Sequence, residues 1–136
     1  MIKVIYGPKG TGKTKLLVNS ANSMSQHAKG AVVFIDDSTK LMYELRHKVR
    51  FVNVSDFPML NNEGFFGFLC GILSQNYDIE GIFIDRLNFI TKEGIEEFEA
   101  FFDKLKILTD KTKTEFFITM NGNTEEMPAF LKQYVQ

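Results

Sequence analysis

A three-layer α/β fold, a mostly parallel sheet between two layers of helices, is what three features of this chain predict. Apolar runs without polar alternation recur at residues 2–6, 31–35, 81–84 and 116–120. Such runs read as strands covered on both faces, as in a parallel sheet. Segments with helical apolar spacing lie between them, and strands alternating with helices imply right-handed crossovers. Polar residues gather where the apolar runs end: residues 7–14, Asp36 with Asp37, Asp85 with Arg86, and Thr119 with Asn121. In open parallel sheets, ligands bind outside the carboxyl ends of the strands, so these scattered groups would share one edge.

The elements follow in order. Residues 2–6 form the first strand, and a helix from residue 13 to about residue 26 places Leu16, Leu17, Ala21 and Met24 on one side. Gly30 ends the connection to the strand at 31–35, after which Ser38 is placed to cap a helix bearing Leu41, Met42 and Leu45. Residues 51–54 could add a short strand. Residues 62–74 read as a helix with Gly64, Gly67 and Gly71 on a small face and Phe65, Phe66, Phe68, Leu69, Ile72 and Leu73 around it. A helix apolar nearly all round is expected to be buried. Its own sheet is the first expectation, and an oligomer or partner interface is the alternative, because 14 phenylalanines are many for so small a core. A strand at 81–84 ends at Asp85, and an amphipathic helix over 93–108 buries Ile95, Phe98, Phe101, Phe102, Leu105 and Leu108. A last strand at 116–120 precedes a short terminal helix over 127–134, with Pro128 in its first turn.

Length and composition narrow the function classes. A chain of 136 residues is one domain, 1–136, short for a nucleotide-binding enzyme with its own lid or acceptor domain, so a second functional part is expected in a partner. The balance of 16 Lys plus Arg against 17 Asp plus Glu leaves no basic field for nucleic acid or an anionic membrane. Cys70 is the single cysteine, which excludes an intramolecular disulfide, and the first residues lead straight into a strand, so a cytoplasmic setting is expected. The longest apolar run, residues 65–73, falls short of the roughly 20 residues that span a bilayer. His27 and His47 stand alone near helix ends and read as solvated.

The octapeptide GPKGTGKT at residues 7–14 fits G-x-x-x-x-G-K-[ST] and directly follows a strand. Its glycines let the backbone wrap a polyphosphate with N–H groups inward, and the following helix presents its positive dipole end to the anion. Gly7, Pro8, Lys9, Gly10, Thr11, Gly12, Lys13, Thr14 and Lys15 are therefore the candidate nucleotide-binding residues. Lys13 should reach the outer phosphates, pointing outward when the site is empty, and Thr14 should offer its hydroxyl to a magnesium ion. Lys9, Lys13 and Lys15 crowd the loop.

Read with the strand ends, this loop resembles that of the P-loop NTPases, in wording close to their ATPases. The resemblance covers most of the chain but rests on two or three motifs. It implies ATP and Mg2+ as ligands. Residues 81–87 resemble a RecA-like Walker B strand, which makes Asp85 the magnesium carboxylate beside Thr14, with a turn-capping aspartate as the alternative. No N-K-x-D segment reads guanine. The glutamate that follows the aspartate in AAA-type ATPases is replaced by Arg86, whereas residues 33–37 resemble the region where RecA-like ATPases keep theirs. Asp37 is then the first candidate for activating water and Asp36 the second, against helix capping or support of the metal's waters. Asn121, with Thr119 beside it, stands where these families sense the γ-phosphate, unless Asn121 and Gly122 simply form a turn. Arg46, Arg50 and Arg86 are expected in surface ion pairs, with an arginine finger as the alternative. Slow ATP hydrolysis stimulated by a partner or oligomer is the leading reading; a non-hydrolysing switch and a small-molecule phosphotransferase are the others.

Overall fold

A computed structural model describes residues 1–58 and 61–135. Five strands, β1 (Ile2–Gly7), β2 (Ala31–Asp36), β3 (Val49–Asn53), β4 (Ile79–Ile84) and β5 (Glu115–Asn121), form one sheet in the order β1-β5-β4-β2-β3. Every neighbouring pair is parallel. Side chains alternate across β2: Val32 and Phe34 face helix α1 (Lys13–His27), while Val33 and Ile35 face the layer built by α2 (Asn62–Gln75), α3 (Leu87–Thr91) and α4 (Glu99–Thr112). Both faces are covered, which is why the strands read as unbroken apolar runs.

The phenylalanines are largely accounted for by this sheet and its cover. Phe51, Phe34, Phe83 and Phe117 are register partners on β3, β2, β4 and β5, and form a rank across four strands on the α1 side. Adjacent ring centroids are 6.4, 6.4 and 4.5 Å apart. On the other face Phe65, Phe98, Phe101 and Phe102 pack where α2 meets α4. Of the 14 phenylalanines, only Phe57 and Phe89 are exposed.

Four sequence expectations change. No α-helix follows Ser38; residues 38–48 run irregularly apart from a single 3-10 turn, Met42–Glu44, and Met42 is exposed. Ser38 accepts a bond from the Lys40 amide at 3.4 Å, so the cap closes a local turn that competes with helix. Helix α2 is not buried all round: Phe65, Leu69 and Leu73 face the core, but Gly64, Gly67 and Gly71 are exposed. The terminal segment contains a 3-10 turn, Ala129–Leu131, and not a full helix. Its end returns to the sheet, where the Val4 amide donates to the Tyr134 carbonyl at 2.9 Å and Val135 bridges Val4, covering the outer edge of β1. Finally, the amphipathic helix starts later than expected, as a 3-10 turn Ile95–Phe98 leading into α4, and the short helix α3 was not foreseen. Among the described residues, no helix is long and apolar enough to cross a membrane.

Candidate functional site

The loop between β1 and α1 holds Gly10 at φ 83° and Gly12 at φ 84°. This left-handed region strains any residue with a Cβ, so the two glycines set the loop's shape. Gly12 is the N-cap of α1 and no side chain caps it, leaving the first amides of that helix for a ligand. Lys13 does not point outward as expected. It is 7% exposed and its ammonium donates to the Pro8 carbonyl at 2.6 Å, with Thr11 Oγ1 at 3.4 Å. Burial lowers its pKa, while the Asp85 carboxylate opposes that shift. The lysine thus bridges its own loop, a bond that an entering phosphate would have to replace.

At the tip of β4 every group is tied. The Thr14 hydroxyl lies 3.1 Å from both carboxylate oxygens of Asp85. The buried Thr119 hydroxyl, one strand over on β5, donates to Asp85 Oδ1 at 2.7 Å and accepts the Arg86 amide at 2.7 Å. Arg86 itself adopts φ 55°, ψ 56°, turning the chain out of the strand into α3. Asn88, on α3, brackets the backbone of Asn121: its amide group donates to the Asn121 carbonyl at 2.9 Å and its oxygen accepts the Asn121 N–H at 3.1 Å. The Gly122 amide then donates to the Gly7 carbonyl at 3.0 Å, extending the β1–β5 pairing, so Asn121 and Gly122 do not form the turn that was the alternative. A Cβ on Gly122 would come within 2.2 Å of the Tyr6 hydroxyl, which explains the glycine there.

The guanidinium of Arg86 joins the two carboxylate-bearing strand tips. Its Nη2 is 2.6 Å from Asp37 Oδ1 and 3.4 Å from Asp36 Oδ1, and its Nε is 3.5 Å from Asp85 Oδ2. Arg86 is thus ion-paired as expected, but at the strand tips and in part to the buried Asp36 and Asp85, not only at the surface. Desolvation alone would lower its pKa, but the carboxylates of Asp37, Asp36 and Asp85 outweigh it and raise the value. Asp36 is 1% exposed, and burial, reinforced by Asp85 and Asp37, pushes its carboxyl up to about 6 against the Asp37 amide and Arg86. Its Oδ1 accepts that amide at 2.8 Å.

A cleft of about 360 Å³ opens over these tips, lined by Lys9, Gly10, Gly12, Lys13, Thr14, Asp36, Ser38, Lys40, Leu41, Asp85, Arg86 and Asn121. Most of the residues expected from the sequence meet here. Gly7, Pro8 and Thr11 do not line it, nor does Asp37, which is turned to Arg86, nor Lys15, which is exposed outside it. Thr14 and Asp85 offer hard oxygen donors of the kind that suit Mg2+. Two protein groups are too few to cage the ion, which fits a metal shared with phosphate oxygens. Sequence reasoning missed Ser38, Lys40, Leu41 and Asn88 as site residues; none belongs to a motif of fixed spacing, and only the fold brings them here.

No protein-family model matches the chain, and no curated protein matches its sequence. Among solved structures it resembles the flagellar accessory protein FlaH from Methanocaldococcus jannaschii, with a TM-score of 0.60 over 94% of this chain. The fold is RecA-like. Sequence identity to that protein is 18%, and this chain spans 63% of its length, so the likeness is one of fold. The RecA-like frame and the order of the strands are what gather the loop, Asp85, Thr119 and Asp36 at one edge.

Proposed function

We propose that the chain binds a magnesium–nucleoside triphosphate, with ATP the first choice, and hydrolyses it slowly until a protein partner or second copy completes the site. The reading rests above all on one contact, the Thr14 hydroxyl against both oxygens of Asp85, two groups 71 residues apart in sequence. Thr14 and Asp85 would hold a metal together with the outer phosphates, with the loop glycines and Lys13 around those phosphates. ATP is preferred because no guanine-reading N-K-x-D segment is present. For water activation Asp36 takes precedence over Asp37: it lines the cleft with a carboxyl pushed up to about 6, near the range useful for a base, whereas Asp37 is held by Arg86. Asn121, lining the same cleft, is the group for the γ-phosphate. A likeness to a protein named as an accessory factor is in keeping with a partner.

A non-hydrolysing nucleotide switch is the second reading, favoured by Arg86, which follows Asp85 in place of a carboxylate and neutralises the nearby acids. Calorimetry with ATP and Mg2+, followed by single-turnover hydrolysis, tests both. Binding with turnover near or below about 0.01 per second is expected of the isolated chain, since a finger from a partner typically adds 10³ to 10⁵ in rate. Absence of binding overturns the proposal, and binding with no turnover at any chain concentration leaves the switch.

A further inference from the structure

Four cationic side chains line the cleft, Lys9, Lys13, Lys40 and Arg86. Arg86 is neutralised by three carboxylates, and Lys13 is turned onto the Pro8 carbonyl. Lys9 and Lys40 make no ion pair or side-chain hydrogen bond among the described residues. They come from different elements. Lys9 belongs to the phosphate loop, while Lys40 comes from the segment that follows β2.

The order of the strands relates Lys40 to the proposed metal site. The loop leaves β1, and Thr14 finishes against Asp85 at the tip of β4; the next strand outward is β2, which carries Asp36 and then Lys40. Thr14 and Asp85 would hold a metal together with the outer phosphates of a triphosphate, and Lys40 lines the same cleft from the segment after β2, the neighbouring strand. The segment is held at its ends and open between them. It is anchored at one end by Arg86 on Asp37 and at the other by Asn22 of α1, which bonds the Glu44 carbonyl at 2.9 Å and the Arg46 amide at 2.8 Å. Between the anchors, Thr39, Lys40, Met42 and Tyr43 are exposed, and the one short 3-10 turn is the only regular structure.

We propose that Lys40 is a ligand for the terminal phosphate, carried to it by residues 38–43 closing as a strap across the cleft. This rests on the nucleotide-binding reading above. Lys40→Ala, an exposed change that leaves the core intact, should weaken Mg-ATP binding about tenfold, the effect of losing one charge-assisted contact, while Mg-ADP binding stays within about twofold. Lys40→Arg should keep both affinities. Hydrogen exchange with the imido analogue of ATP and Mg2+ should slow at residues 7–14 in wild type and Lys40→Ala, and slow at residues 38–43 in wild type alone. An equal loss for ATP and ADP, no loss, or residues 38–43 unchanged while 7–14 are protected would overturn the strap and leave nucleotide binding standing. If neither calorimetry nor residues 7–14 respond, nucleotide binding itself fails and the strap with it.

Discussion

The tips of β4 and β2 lie side by side in the sheet, each ending in a buried aspartate, yet they are built on different terms. Asp85 is held by two hydroxyls from two other elements, Thr14 and Thr119, and the following turn is fixed by the Arg86 amide on that same Thr119 hydroxyl. Asp36 receives one amide from its own neighbour and a long contact from Arg86, and beyond it the chain is largely exposed. A largely buried network with its polar groups paired is rigid, which would suit the metal role proposed for Asp85. A tip with one neighbour bond and one ion pair can yield when charge arrives. The site is thus half preset and half adjustable.

The largest effects should come from the loop lysine and the preset tip. If the lysine serves two phosphates as proposed, Lys13→Ala should lower Mg-ATP affinity by about a hundredfold or more, because charge-assisted bonds contribute about 1.5–3 kcal/mol each. Calorimetry reads this, and an unchanged affinity would remove the phosphate loop from the account. Asp85→Ala should depress binding in Mg2+ far more than binding in chelator, since its carboxylate acts through the metal. Equal losses would make Asp85 a structural residue. Thr119→Val keeps the shape but strips a donor from Asp85 and an acceptor from the Arg86 amide, and should cost about 1–3 kcal/mol of stability in urea unfolding. A cost near zero would erase the contrast between the tips.

On the adjustable side the expected effects are smaller. Asp36 has its carboxyl raised from 3.8 to about 6 in the fold, so the folded state holds a proton that the unfolded chain gives up first. Stability should be fullest below pH 4 for this group and fall as pH rises through about 6. Asp36→Asn should flatten that decline; an unaltered slope between pH 4 and pH 6 would show that another group sets it. Asp37→Asn breaks a short but one-third exposed ion pair and should cost under about 1 kcal/mol.

How much of this was legible in the sequence follows the same division. The sheet, its parallel sense and the glycine-shaped turn after β1 were readable because each rests on a local signal: unbroken apolar runs, and glycines at fixed spacing that take φ 83° and 84°. The strand at residues 51–54 was placed two residues late, as Val49 is buried but Arg50 interrupts the run. The glycine face of α2 was read as buried because composition says how apolar a helix is, not which side meets the sheet. The helix expected after Ser38 failed because a hydroxyl that can cap a helix can equally close a turn. Thr119, a threonine inside an apolar strand, gave no sign that it would bind Asp85; that depends on β5 lying next to β4, which no local pattern encodes.

The position of β1 has a bearing on how the site comes into being. Of the five strands it is made first, yet its only strand neighbour is β5, made last, and its free edge is covered by residues near 135. The phosphate loop therefore spends the synthesis of more than a hundred residues, from Gly7 to Asn121, without the pairing that anchors its base. Closing so long a separation costs entropy that only the finished sheet offsets. The nucleotide binding proposed for this chain should then appear late on the ribosome and all at once, so that ligand binding would report whether the sheet has been completed.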